Sequence, residues 1–515
     1  MEKASERKQW HCYMIVIGIF LLLISGSFLS EGIGHDGLEN AIVSQKMADG
    51  FRDFWLPTLE DNSSTDQMQS YLPLGYWLES RWFKLVGLSF VAEKVYSVLS
   101  FVIIGLLIVW IWRLAGNERR TGWMPLLLWI VTPIVSWSAT NNLLEGTMTV
   151  FILLSVAFLL LAHPTEDAVG LTPRRMLLVF ASAIMMELAF LTKGFPGIFP
   201  LLFPLIYWFF GRKEKIMYPI ADMMGIVSVW GISLLLCIIF LPGTGETLSY
   251  YLHHQLIGGV RHVQTVASHF YILYALVVQM ALAVVLTIVV VAIRLKHRSF
   301  SQHFFYWKHR DELTEDELRH IRCFYRFLFL GLAGVLPIML GLKQQDFYLI
   351  GTLPFFALSL ASFMEDLVLD WLNKMNKVAY GILTGLAIVV MGAGVLLNLN
   401  SIQKVNTSLD LLTDMKEILP QLQEGETVSV SPELLDAEGG EAEDYFYRYK
   451  EVVFDTAMGH EHMLTLYTSV DHMNLDGRYR PVNIQTETYK LYEKEKYIAP
   501  QPQEIDTANV VALAY

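Results

Sequence analysis

Apolar runs long enough to cross a bilayer recur from Tyr13 to Leu397, and a chain that carries so many has few ways to fold. A hydrocarbon core of about 30 Å needs roughly 20 helical residues per crossing, with every backbone polar group bonded inside the segment. About eleven runs meet that length, at 13–30, 93–112, 122–139, 144–162, 176–192, 196–210, 216–242, 269–293, 321–341, 347–364 and 379–397. With 54% hydrophobic and only 17% charged residues, and a mean hydropathy of +0.41, the chain is too apolar for a soluble globule. The fold class expected is mainly α: a polytopic membrane helix bundle.

The first run follows Lys3, Arg7 and Lys8 as a secretory signal would. It is long, and Ser25-Gly26-Ser27-Phe28 makes a poor cleavage site, so an uncleaved first helix is expected. Cys12, Cys237 and Cys323 fall in or beside spans, which predicts neither a structural disulfide nor a thiolate metal site.

With the N-terminus cytoplasmic, each even-numbered span returns the chain to a loop that carries Lys or Arg. These are Arg113/Arg119/Arg120, Arg174/Arg175, Arg212/Lys213/Lys215, the 294–319 segment and Lys374/Lys377. That is the positive-inside pattern, and it predicts N-in, C-out topology. The chain then divides into a transmembrane domain, 1–400, and a small extracytoplasmic domain, 401–515. Residues 400–515 hold about 21 acidic and 9 basic side chains, which accounts for the net charge of −12. A helix near Leu409–Leu422 and strands at Thr427–Val430 and Val452–Phe454 make this an α/β unit. Its acidity argues against nucleic acid or an anionic membrane surface as partner.

Two outer stretches exceed a turn, Glu31–Ala92 and Gly243–Ser268. The first is rich in Trp and Tyr, as interfacial helices are. Beyond it, cations on that face are sparse, and Lys193, Arg261 and Lys343 each sit in a different outer connection. Snorkelling is the ordinary fate of one such residue; three together predict a site for a lipid phosphate. Lys193 lies in Leu191-Thr192-Lys193-Gly194-Phe195-Pro196-Gly197, where a helix N-terminus would offer free N–H groups to an anion. Glu187 is its candidate ion-pair partner, Asp346 that of Lys343. Gly258-Gly259 before Arg261 would let backbone approach a ligand. The histidines nearby fit no zinc spacing.

Outside the first span runs Glu31-Gly32-Ile33-Gly34-His35-Asp36-Gly37-Leu38-Glu39-Asn40. Asp36 there is either the N-cap of a helix over Leu38–Gly50 or a carboxylate base facing a pocket. Glu39, one turn on, would hold a divalent cation with Asp36, and such a cation is the one cofactor the pattern allows.

The order of these features resembles the integral-membrane glycosyltransferases of the GT-C type, and among them the bacterial branch of aminoarabinose transferases and protein O-mannosyltransferase relatives. The resemblance rests on Asp36 with Ala41 and Met47, then Pro57, then Pro73-Leu74-Gly75-Tyr76-Trp77. It continues with Ala189-Phe190-Leu191-Thr192-Lys193-Gly194 and with Lys343, Tyr348-Leu349 and Pro354, covering roughly 10–365. It implies an outward-opening bundle that moves a sugar from a polyprenyl-phosphate carrier to an acceptor lipid, glycan or protein, with inversion, at the extracytoplasmic face of the cell (inner or plasma) membrane. Asp36 would then be the catalytic carboxylate, Lys193, Arg261 and Lys343 the donor-phosphate ligands, and His35, Tyr71, Tyr76, Glu145, His262 and Tyr348 pocket residues.

Three departures weigh against an aminoarabinose–lipid A assignment. Gly37 stands where the family often has Glu. Ser70-Tyr71-Leu72-Pro73 replaces Glu-Lys-Pro-Pro, and the acid expected before the fourth span appears as Asn141-Asn142-Leu143-Leu144-Glu145. The competing readings are a lipid or solute transporter, which would carry related halves and mid-membrane polar sites, and a non-catalytic scaffold whose outer domain binds a partner. No internal repeat is visible, and neither rival explains Asp36 with the outer cations.

Overall fold

The computed structural model describes residues 10–50, 54–55, 72–163, 170–211, 215–261, 263–295, 314–402, 404–436, 440–468 and 478–495. The chain forms two compact units, 1–408 and 409–515.

The first unit is a helix bundle. α1 (Trp10–Leu23) is followed by α2 (His35–Asp49), α3 (Leu74–Val86) and α4 (Phe90–Leu114). Then come α5 (Trp123–Ile130), α6 (Pro133–Ala139), α7 (Leu144–Ala162), α8 (Pro173–Lys193) and α9 (Met217–Phe240). The unit closes with α10 (Tyr271–Leu295), α11 (Glu315–Val335), α12 (Leu353–Lys374) and α13 (Lys377–Asn400). Among the described residues seven helices are long and apolar enough to cross a membrane, or eight if the bent pair α5–α6 counts as one. The protein is therefore a multi-pass membrane protein of mainly helical fold.

The shortfall from eleven has local causes. The described part of α1 is 14 residues long, and the chain turns at Ser25–Ser27. The 122–139 run bends by 83° where Thr132 goes extended and Pro133 restarts the helix. Pro196, Pro200 and Pro204 break the 196–210 run into two 3-10 turns and a seven-residue helix, since each proline removes a donor and crowds the preceding turn. The 347–364 run opens as a 3-10 turn, Asp346–Leu349, and its helix begins only at Leu353.

Two features of the bundle set up the end of the first unit that carries Asp36. α7 and α8 form an antiparallel hairpin, which brings the start of one beside the end of the other. Lys94, near the start of α4, is fully buried and donates to the carbonyls of Ser27 and Ser30, both at 2.7 Å. Those bonds anchor the segment that leads from α1 into α2.

The second unit is a small α/β domain. Its five-stranded sheet has the order β2-β1-β3-β5-β4, with β1 (Thr427–Val430), β2 (Val453–Asp455), β3 (His462–Leu466), β4 (Tyr479–Pro481) and β5 (Tyr489–Lys494). β1 pairs in parallel with both β2 and β3, while β5 runs antiparallel to β3 and β4. α14 (Leu409–Ile418), α15 (Pro432–Asp436) and α16 (Glu441–Lys450) complete it. The buried Asp414 carboxylate accepts from the backbone N–H groups of Glu487, Thr488 and Tyr489, tying α14 to the start of β5.

Candidate functional site

α2 begins at His35, three residues earlier than its hydrophobic pattern predicts. Gly34 takes an extended conformation at its N-cap, and its N–H donates to Asn141 Oδ1 at 2.7 Å. Asp36 thus lies in the first turn and is not the cap expected of it. A negative charge there is favoured by the helix dipole. Asp36 itself is exposed.

Gly37 accounts for one departure from the family pattern. A Cβ on it would lie 1.9 Å from the Asn141 carbonyl oxygen, so no side chain fits. The close approach is bonded on both sides. Asn40 Nδ2 donates to the Asn142 carbonyl at 3.1 Å, and Asn142 Nδ2 donates to the Gly37 carbonyl at 3.3 Å and to Glu79 Oε1 at 2.7 Å. Ser44 Oγ then donates to Glu79 Oε2 at 2.7 Å. Buried polar networks satisfied in this way rigidify what they hold, and here they hold the first turn that carries Asp36.

Lys193, the last residue of α8, ion-pairs with Glu145 in the first turn of α7. Both are buried. The expected partner, Glu187, is not used: its carboxylate bonds Ser233. Six residues span about 600° of helix, which turns Glu187 away from the Lys193 face. The ammonium also lies 5.3 Å from the ring centroids of both Phe347 and Tyr348. The Glu145 Oε2 atom is buried with no hydrogen-bond partner among the described residues. The free N–H groups expected after Lys193 are not free either. Gly194, at φ 87°, swings the chain so that the Phe195 N–H donates to the Tyr251 hydroxyl at 3.0 Å.

Lys343 sits on a third segment and reaches Gln255 Oε1 at 3.5 Å. Burial and the charge of Lys193 hold its ammonium below the ordinary lysine range, while Asp36 and Glu39 oppose that shift. Asp36 also acts electrostatically on Glu145. Asp36 therefore lies within the fields of Lys343 and Glu145, and Lys193 within those of Glu145 and Lys343, the four side chains coming from four separate segments. Asp346 does not neutralise Lys343 as expected. It accepts from Tyr271 Oη at 2.7 Å and Gln279 Nε2 at 2.8 Å.

An open cavity of about 510 Å³ adjoins Asp36, lined also by Trp137, Tyr271, Gln279, Gln345, Asp346 and Phe347. Trp137 and Phe347 stack at 6.1 Å with a 21° interplanar angle. This aromatic wall was not anticipated from sequence. The Glu145–Lys193 pair was within reach, because the α7–α8 hairpin aligns those two ends.

The remaining candidate residues differ in their surroundings. His35 is exposed, and its Nε2 lies 3.5 Å from Glu39 Oε1, while Asp36 is not gathered with them into one ligand set among the described residues. Tyr348 is half-buried beside Lys193. Tyr76 is buried in the apolar core with Val43, Met47 and Leu144. Arg261 is exposed, two residues after Gly259, where a Cβ would stand 3.7 Å from Lys343 Cδ. Tyr71 and His262, like Pro57, lie outside the described residues.

No protein-family model matches the chain, and no curated protein matches its sequence. Its fold, however, is that of ArnT. The structure of ArnT from Cupriavidus metallidurans bound to undecaprenyl phosphate superposes with a TM-score of 0.63 at 15% identity, over 96% of this chain and 99% of that one. The apo form of the same protein gives 0.59 at 14% identity, over 94% and 97%. The Archaeoglobus fulgidus oligosaccharyltransferase complexed with Zn and sulfate gives 0.47 at 12%, over 88% and 68%.

Proposed function

We propose that this protein is a glycosyltransferase that moves a sugar from a polyprenyl-phosphate carrier to an acceptor on the extracytoplasmic face, with Asp36 as base and Lys193 and Lys343 as ligands of the departing phosphate. One observation carries the reading: an exposed carboxylate lines an open cavity within electrostatic reach of Lys343, which Lys193 approaches in turn. The ArnT fold, seen there with undecaprenyl phosphate, supports it.

The chemistry follows from those groups. Asp36 takes the proton of an acceptor hydroxyl as the hydroxyl oxygen attacks the anomeric carbon, assistance typically worth roughly 10²–10⁴-fold. The bond from that carbon to the phosphate oxygen breaks on the opposite side, which inverts the centre. Its electron pair leaves with the polyprenyl phosphate, whose growing negative charge the buried Lys193 and half-buried Lys343 stabilise. Glu145 fixes the Lys193 ammonium in place, and Arg261 supplies a third cation at the rim. His35 and Glu39 would hold a divalent cation beside Asp36, which would supply further charge for the phosphate. The aromatic wall of Trp137 and Phe347 suits a sugar ring, and the acidic outer domain, 401–515, shares the acceptor's side of the membrane in this reading.

Purified protein in nanodiscs, given undecaprenyl phosphate carrying a radiolabelled pentose or hexose plus an envelope extract, is expected to transfer label to an acceptor and release undecaprenyl phosphate. Unchanged donors across such a panel, with the protein folded, would overturn the reading.

A further inference from the structure

A second hollow, more apolar and larger than the one beside Asp36, lies elsewhere in the bundle. A groove of about 840 Å³ lies between α1, α4 and α5, walled by such side chains as Val16, Phe20, Leu106 and Trp129. Among the described residues its only charged lining side chains are Arg113 and Arg119. Both are exposed, and neither has an acidic partner among the described residues. Tyr13 shares that end of the groove, where both guanidinium charges act on its hydroxyl. Trp10 and Trp110 flank the same end, the place amphipathic rings take at a headgroup boundary. The third arginine of this loop, Arg120, is engaged elsewhere, with Glu118 and Asn373.

An apolar trough closed by two cations and a hydroxyl matches a molecule with an anionic head and a long hydrocarbon tail. Two such molecules are at issue, a bilayer phospholipid and a polyprenyl phosphate, and position decides between them. Lys94 anchors α4 beside the segment that leads to Asp36, and Arg113 stands 19 residues further along the same helix, about 30 Å away. A phosphate held there lies a bilayer core away from Lys193.

We propose that this groove holds one anionic glycerophospholipid of the leaflet opposite the Asp36 cavity, with its phosphate between Arg113, Arg119 and Tyr13 and an acyl chain along α1 and α4. The site is independent of the proposed transfer reaction. The bound lipid fills the trough between α1, α4 and α5, and so fastens α1 to the bundle.

The test is native mass spectrometry of the full-length protein released from detergent with defined lipids. Dioleoylphosphatidylglycerol is expected to remain bound at one copy where dioleoylphosphatidylcholine, at equal mole fraction, is lost. Arg113→Gln with Arg119→Gln should weaken the retained lipid about 25-fold, from about 1 kcal/mol per cation at 1.4 kcal/mol per tenfold. Arg120→Gln, which removes the same charge from the same loop, should leave it bound. Val109→Trp, which fills the trough, should abolish retention with both arginines present. Equal retention of the two lipids by the unmodified protein, or full retention by the double variant, overturns the proposal. So does one-for-one displacement of phosphatidylglycerol by undecaprenyl phosphate.

Discussion

Helix α8 carries a buried ion pair at each end, and the two are built differently. At its start, Arg175 grips Asp222 through Nε, at 3.0 and 3.1 Å from the two carboxylate oxygens, and again through Nη2. His163 Nε2 stands 3.3 Å from the same carboxylate, and Arg175 Nη1 donates to the Gly170 carbonyl at 3.3 Å. Both carboxylate oxygens are taken. At its end, Lys193 meets one oxygen of Glu145 and leaves the other without a partner among the described residues. A second lysine stands near, with an exposed aspartate and an open cavity. The first arrangement ties α8 to α9 and leaves neither oxygen of Asp222 for a ligand. The second leaves one buried carboxylate oxygen unused and sets the Lys193 ammonium beside Phe347, which lines the cavity; unevenly matched charges next to a cavity mark a candidate functional site.

The widest separation between the two ends comes from Asp36→Asn. The variant keeps the shape of the first turn of α2 while losing the base, so turnover should fall by roughly 10²–10⁴-fold with the melting temperature unmoved. Normal turnover would remove Asp36 from the role.

Arg175→Met should show the reverse behaviour. It strands the Asp222 carboxylate in the interior at a cost of about 3–5 kcal/mol, read as lost thermal stability in detergent, while turnover per folded molecule is retained. A variant that melts normally would show that the closed end is not a structural tie.

Gly37→Ala sharpens the comparison from the side of the scaffold. Its Cβ must displace the Asn141 carbonyl or the first turn of α2, an overpacking cost of about 1–3 kcal/mol, and the shift carries Asp36 with it. Both stability and turnover should drop together, and a drop in neither would contradict the tight contact.

The smallest effect is in pH. Because the folded state holds Lys343 below the ordinary lysine range, the unfolded chain binds that proton more tightly, so between the two values stability rises with pH. Donor affinity moves the other way, because Lys343 loses its charge at a lower pH than a free lysine does. Lys343→Arg, which stays charged, should shift the alkaline rise in donor KM to higher pH; an unshifted limb would show that Lys343 does not bind donor.

These regions were unequally legible in the sequence. Long apolar runs announce most of the spans, because the bilayer forces one pattern on any helix that crosses it. What interrupts a span was harder to read: Pro133 and the prolines of the 196–210 run change helix geometry without changing hydropathy. Lys193 and Lys343 stand out as cations on a face that has few. Their partners depend on which helix ends meet, and six-residue spacing makes Glu187 the wrong face while the α7–α8 hairpin makes Glu145 the right one. Asp36 was visible as a residue, but its place in the first turn depends on Gly34 being held by Asn141, a contact across 107 residues of chain. The Trp137–Phe347 wall joins two distant segments and carries no local signature at all.

The most direct measurement is a structure of the protein with undecaprenyl phosphate bound. The phosphate is expected within about 4 Å of the Lys193 and Lys343 ammonium groups, the reach of an ion pair, and on the cavity side that Asp36 faces. Density for the phosphate at another place on the bundle, with both lysines left as they are here, would contradict the account.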